Sequence, residues 1–210
     1  MDLRGLTARE LLVLGVDANA ELRRRGIVRT ENNPIGDFAE YLFCGAYAWK
    51  LVDNSKKGID AIGPDRTRYQ IKARRLAGNA GDRQLSALRG LPEKSFDKLA
   101  AVLFGARFGI ARAAIIPHTI VLANATRQGH TNSWRFMLRD EVWDWRGVED
   151  VTGVLRAALL TLSASVEPHE YQLGGREPLL APVSKLRKAA TVKRRESGAG
   201  RGTNRADSPE

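Results

Sequence analysis

Cysteine is nearly missing from this sequence: Cys44 stands alone among 210 residues. An internal disulfide and a multi-cysteine metal knot are excluded, and the chain suits a reducing compartment, so a cytoplasmic location is expected. Histidine is also scarce. His118, His130 and His169 show no His-x-x-x-His spacing, so no metal role is assigned to them. No apolar run approaches the roughly 20 residues that span a bilayer, so no membrane partner is expected. The opening stretch MDLRGLTARE carries acids and has no apolar signal core. Acids are in deficit, with 24 Asp and Glu against 34 Lys and Arg and a net charge of +10.

What is present is enough to fold. Hydrophobic residues at 43% and charged residues at 28% exclude wholesale disorder. The basic excess speaks to partners. Arg outnumbers Lys by 25 to 9, and guanidinium forks grip phosphate through two bonds; genomic base composition is the bland alternative. Segment 185–210 holds eight Lys and Arg against three Asp and Glu, half of the net excess. From about residue 183 large apolar residues all but vanish. A single domain over 1–182 with an N-terminal helix is expected, followed by a disordered basic tail over 183–210.

Periodicity and turn chemistry place the elements. Residues 7–26 read as one helix, with Thr7 and Glu10 at capping-box spacing. A second helix starts at Asn33, a good cap, with Pro34 in its first position, and runs to Trp49 or Leu51. Strands are expected at 58–62 and 68–74 around the turn Gly63-Pro64-Asp65-Arg66-Thr67. Short apolar runs at 99–104 and 111–116 read as central strands, joined by a turn at 105–109. Segment 84–91 reads as a short helix, 133–138 as a strand and 150–163 as a helix. The fold class expected is α/β, a central mixed sheet flanked by helices.

The chemistry-bearing residues lie in 33–75. Directly opposite residues of an antiparallel pair share a face. If Asp60 faces Gln70, or faces Lys72, these three share one side of the sheet and Tyr69, Ile71 and Ala73 turn to the core. A slip by one residue would bury Asp60 among apolar groups, which is expensive. A carboxylate and an amide oxygen are hard ligands suited to Mg²⁺. A nearby ammonium can hold or deprotonate an attacking water and offset developing charge. Glu40, on the second helix among Phe38, Tyr41, Phe43 and Tyr47, wants a partner that a metal or Lys72 would supply. Beyond the lysine, Arg74, Arg75, Arg83, Gln84, Ser86 and Arg89 are candidate contacts to DNA phosphate and sugar.

A helical Glu40, then Gly58-Ile59-Asp60, then a hairpin, then Gln70-Ile71-Lys72 resembles the PD-(D/E)XK restriction-endonuclease-like superfamily, in the branch where Gln replaces the second acid. The wider pattern NNPIGDFAEYLF, RYQIKARR, RQLSALR and FDKLAAVLF is similar to a family of uncharacterised bacterial proteins. The match covers roughly residues 33–117. It implies a restriction-endonuclease-like core and hydrolysis of DNA phosphodiesters, in restriction, defence or repair. Asp60 and Gln70 would be ligands of Mg²⁺ or Mn²⁺ and Lys72 the catalytic lysine, with Glu40 an auxiliary ligand or a group positioning Lys72. A double-strand cutter would work as a homodimer.

Plainer readings stand beside these. Asp60 and Lys72 could form a cross-strand ion pair without function. Gln70 in place of an acid carries one negative charge fewer, which is the pattern of a non-catalytic DNA-binding protein or adaptor that keeps the fold. Trp134, Phe136, Trp143 and Trp145 could stack bases but read more simply as packing groups.

Overall fold

The apolar runs near residues 100 and 115 form the centre of a six-stranded mixed sheet in a computed structural model that describes residues 2–52, 58–76 and 83–164. The expected basic tail lies outside the described residues. In chain order the strands are β1 (Lys50–Leu51), β2 (Ala61–Ile62), β3 (Arg68–Arg75), β4 (Lys98–Phe104), β5 (Ile110–Pro117), β6 (Thr126–Gln128), β7 (Ser133–Arg135) and β8 (Glu149–Asp150). The large sheet runs β1-β2-β3-β4-β5-β8, and β6 pairs with β7 as a separate ribbon. Only β3 and β4 run parallel; the other neighbours are antiparallel. The helices are α1 (Ala8–Arg24), α2 (Ile35–Tyr47), α3 (His118–Asn124) and α4 (Thr152–Ala164). No helix among the described residues is long and apolar enough to cross a membrane.

Residues 2–24 belong to one compact unit and the described residues from Arg25 onward to another. Within the first, α1 runs unbroken through Gly15. Its capping box is reciprocal: Thr7 N–H donates to Glu10 Oε2 at 2.8 Å, and Glu10 N–H to Thr7 Oγ1 at 3.3 Å.

In the second unit the sheet is covered on both faces. On one, Ala39, Leu42 and Phe43 of α2 and Leu155 of α4 pack on Tyr69, Ile71, Ala100, Val102 and Ile115. On the other, Leu85, Leu88, Leu91, Phe136 and Leu138 cover Leu99, Ala101, Leu103 and Ile116. Strands buried on both faces lose the apolar–polar alternation, which is why β4 reads as the continuous run KLAAVLF. Each of these leucines contributes roughly 1.5–3 kcal/mol by leaving water.

α2 begins as its sequence dictates. Asn33 Oδ1 accepts the Ile35 N–H at 3.1 Å, and the Phe38 N–H reaches Pro34 O at 2.8 Å. It ends at Tyr47, earlier than expected, because Ala48 takes a left-handed φ of 52°. That turn sends Trp49 onto Tyr69, ring centroids 3.6 Å apart, and starts β1.

The strand expected over 133–138 ends at Arg135, and two other expected elements differ more. Segment 84–91 is not a helix: Gln84 and Leu88 make isolated bridges to Met137 and Trp134, and Leu88 exchanges backbone bonds with Trp134 at 2.9 and 2.8 Å. Leu85, Leu88 and Leu91 imitate a helical stripe, yet all three insert into one sheet face from irregular chain. The strand expected over 58–62 shrinks to Ala61–Ile62. Gly58 has a φ of 80°, outside strand geometry. The aromatic cluster packs as expected: Phe136 is buried against Trp145, and Arg112 sits 3.9 Å above Trp143.

Candidate active-site cleft at the open edge of β3

β2 pairs with β3 only at Ala61–Tyr69 and Ile62–Arg68. This is the register in which Asp60 stands opposite Gln70. The chain leaves the ladder at that point. The Asp60 N–H donates to Tyr69 O at 2.8 Å, and the Asp60 carboxylate takes the Ile71 N–H at 2.7 Å. The carboxylate thus substitutes for the strand carbonyl that β2 no longer supplies. From Ile71 to Arg75 no described strand covers this edge of β3.

A cleft of about 630 Å³ follows that edge. Its walls are the N-terminal turn of α2 (Asn33, Pro34, Ile35, Gly36), then Glu40, Asp60, β3 from Ile71 to Arg75, Ser86 and Phe108. Helical spacing puts Gly36 and Glu40 on one face of α2, while Ala39, Leu42 and Phe43 take the buried face. Strand alternation sends Ile71 towards α2 and Lys72 to the opposite face, beside Ala101.

Three of the four expected catalytic residues, Glu40, Asp60 and Lys72, therefore line one cleft. Gln70 does not line it. It is buried, 5% exposed, and its Oε1 has no hydrogen-bond partner. A buried amide oxygen left unpaired costs about 1–3 kcal/mol. Lys72 is half-buried, and no described group pairs with it; the cross-strand ion pair with Asp60 does not form.

Glu40 has a partner that the sequence did not disclose. The Arg29 guanidinium bonds its carboxylate and also reaches Val52 O at 3.4 Å. Arg29 is itself anchored, since Asp37 Oδ2 takes the backbone N–H of Arg29 at 2.7 Å and of Thr30 at 2.8 Å. Burial pushes the Glu40 carboxyl up to about 7; Arg29 opposes this and the charge of Asp60 adds to it. Two carboxylates close enough to repel are what a bound cation would relieve. Arg29 lies eleven positions before Glu40 with no motif spacing to flag it.

The candidate nucleic-acid contacts divide. Arg74, Arg75 and Ser86 line the cleft. Arg83 is held by Asp140 at 2.6 Å. Gln84 is half-buried in its bridge to Met137, and Arg89 is exposed away from the cleft. Phe108, a cleft residue at the tip of the β4–β5 turn, carried no sequence signal beyond its turn. Cys44 is not a nucleophile candidate, because burial pushes its thiol up to about 12. His118 is buried with Nε2 2.7 Å from Leu91 O, and His169 lies outside the described residues.

The cleft offers oxygen donors to a divalent cation. Among the described residues no group of three or more His, Cys, Asp or Glu is arranged to hold a metal. Mg²⁺, however, commonly takes one or two carboxylates and completes its shell with water and substrate phosphate. The two neighbouring carboxylates of Glu40 and Asp60 fit that requirement; the buried Gln70 oxygen, which does not line the cleft, is not among its donors. Searches against protein-family models and against curated proteins return no match for this chain.

Proposed function

We propose that the chain is a divalent-metal-dependent DNA nuclease of the PD-(D/E)XK type, with its site in the cleft between α2 and the open edge of β3. The observation that carries this is that Glu40, Asp60 and Lys72, which has no partner among the described residues, line one cleft. They arrive from a helix, a strand entrance and a neighbouring strand, in the order that the sequence resemblance implies.

Asp60 and Glu40 would hold Mg²⁺ or Mn²⁺, with water and substrate phosphate completing the shell. The bound ion would supply Lewis-acid stabilisation of charge on the phosphate and a more acidic water. The chain's own groups do the rest. The Ile71 N–H fixes the Asp60 carboxylate. Arg29 fixes Glu40 on the α2 face. Lys72 orients the attacking water and offsets negative charge as the phosphorus centre becomes crowded. Arg74, Arg75 and Ser86 take neighbouring phosphates, helped by the positive end of α2 at Asn33–Gly36.

The test is cleavage of DNA with Mg²⁺ or Mn²⁺ by wild type, Lys72→Ala and Asp60→Asn, with Mn²⁺ binding followed separately by electron paramagnetic resonance. Lys72→Ala should lose cutting and keep Mn²⁺ binding; Asp60→Asn should lose both. Cutting by both variants at the wild-type rate overturns the assignment. A second reading, a non-catalytic DNA-binding protein or adaptor, is favoured by one feature: Gln70 leaves the cleft with only two acids. DNA binding without cutting, falling steeply with salt, would select it. A homodimer is the form in which a duplex cutter would act, checked by the mass of the protein in solution.

A further inference from the structure

Phe108 occupies a backbone position unsuited to a bulky residue. In the turn joining β4 to β5 the Phe108 N–H donates to Gly105 O at 3.0 Å, and the Gly105 N–H to Gly109 O at 2.8 Å. Phe108 takes a φ of 61° there. That left-handed conformation suits Gly or Asn and is an outlier for an aromatic residue. Strain of this kind, on the order of 1–3 kcal/mol in general, concentrates at ligand-binding positions. The ring is half-buried and forms part of the cleft wall beside Arg74 and Arg75. Its aromatic neighbours hold it without lying flat on it: Phe38 meets it at 75° and Phe104 at 53°. The Arg75 guanidinium stands over the ring, 5.5 Å from its centre.

The open edge of β3 adds donors to the same cleft. Arg68 and Leu76 direct backbone groups towards the β4 side, with Asp97 N–H to Arg68 O at 2.8 Å and Leu76 N–H to Phe104 O at 2.7 Å. Alternation therefore turns the N–H groups of Ala73 and Arg75 to the open edge, where no described strand meets them. Donors, cations and an aromatic ring line a space of about 630 Å³. That volume falls in the range of sites for small ligands; it admits part of one strand and not the cross-section of a duplex.

We infer that the cleft takes an unpaired stretch of DNA, with one base stacked on Phe108 beside Arg75 and the adjoining phosphodiester on the open edge of β3 next to Lys72, an inference that rests on the nuclease reading above. A duplex keeps its base faces covered, so the ring would be of no use to it. A single strand exposes both a base face and a phosphate within the reach of one cleft.

The test compares the binding of a fluorescently labelled single-stranded oligonucleotide with that of the same strand in a duplex. It uses the full chain with a chelator present to prevent cutting. The single strand should bind at least tenfold more tightly. Phe108→Leu, which keeps an apolar group against Phe38 and Phe104, should weaken single-strand binding by roughly tenfold to a hundredfold and leave its salt dependence unchanged, since base–aromatic stacking is of that size. Phe108→Tyr keeps the ring and should bind as wild type does, which guards against a Leu variant that merely unfolds. Duplex binding as tight as single-strand binding, or full affinity in a folded Phe108→Leu, overturns the inference and leaves the nuclease reading standing. Failure to bind either form overturns both.

Discussion

The Asp60 carboxylate bonds the backbone N–H of Ile71 at 2.7 Å, a side chain filling the place of a missing strand. One group therefore serves the fold and the proposed chemistry, and substitution can separate the two roles. Asp60→Asn keeps an oxygen acceptor for Ile71 and should melt close to wild type while losing metal-dependent cutting. Asp60→Ala leaves that N–H unpaired and should cost about 1–3 kcal/mol as well. Denaturant unfolding of the two variants, set beside their cleavage rates, checks this.

Gly58 explains its own place before Asp60. Its φ is 80°, and a Cβ there would come within 2.5 Å of Ser95 Oγ and 2.9 Å of Ser95 Cβ. Gly58→Ala should cost roughly 1–3 kcal/mol in denaturant unfolding, from strain and contact together. Gly58→Ala combined with Ser95→Gly should recover only the contact part.

Arg29 should matter as much as the motif residues. The Glu40 side chain is 14% exposed and Arg29 31%, so removing the guanidinium strands a largely buried carboxylate. Arg29→Ala should lose about 1–3 kcal/mol, less than for a fully buried pair. The double variant Arg29→Ala with Glu40→Gln should regain part of the loss. A double-mutant cycle by thermal or denaturant melting gives the coupling directly.

Acid sensitivity has a named source. The Arg68 guanidinium grips Asp97 through bonds of 3.0 and 2.9 Å, and this holds the Asp97 carboxyl at about 2, below its ordinary 3.8. An acid with a depressed folded value stabilises the fold above its unfolded value, and that stabilisation fades as pH falls through the folded one. Wild type should therefore lose stability between about pH 4 and pH 2. Asp97→Asn should be less stable at neutral pH, with a shallower slope in that window. Melting temperatures across the acid range test it.

Much of the site was legible because antiparallel register is arithmetic. Tyr69 and Ile71 had to meet the core, which fixed the face of Gln70 and Lys72 and left Asp60 opposite one or the other; the pairing of Ala61 with Tyr69 selects Gln70. The Thr7–Glu10 capping box, the Asn33 cap and the turns were legible because they rest on local chemistry. Arg29 was not, since its contact with Glu40 depends on how the chain enters α2. Nor was the chain at 84–91, whose leucines at intervals of three suit a helix as well as an irregular strip lying on a sheet. The retreat of Gln70 from the cleft follows from its burial beside Leu99, which spacing alone does not reveal.

The most direct measurement of the central claim is single-turnover cleavage of DNA with Mn²⁺ by wild type and Lys72→Ala, at protein concentrations where both are shown to bind. Cutting by wild type, abolished in the variant with binding retained, is the result expected of a cleft in which Glu40, Asp60 and Lys72 work together. Equal cutting by the two proteins, or binding with no cutting by either, would contradict it.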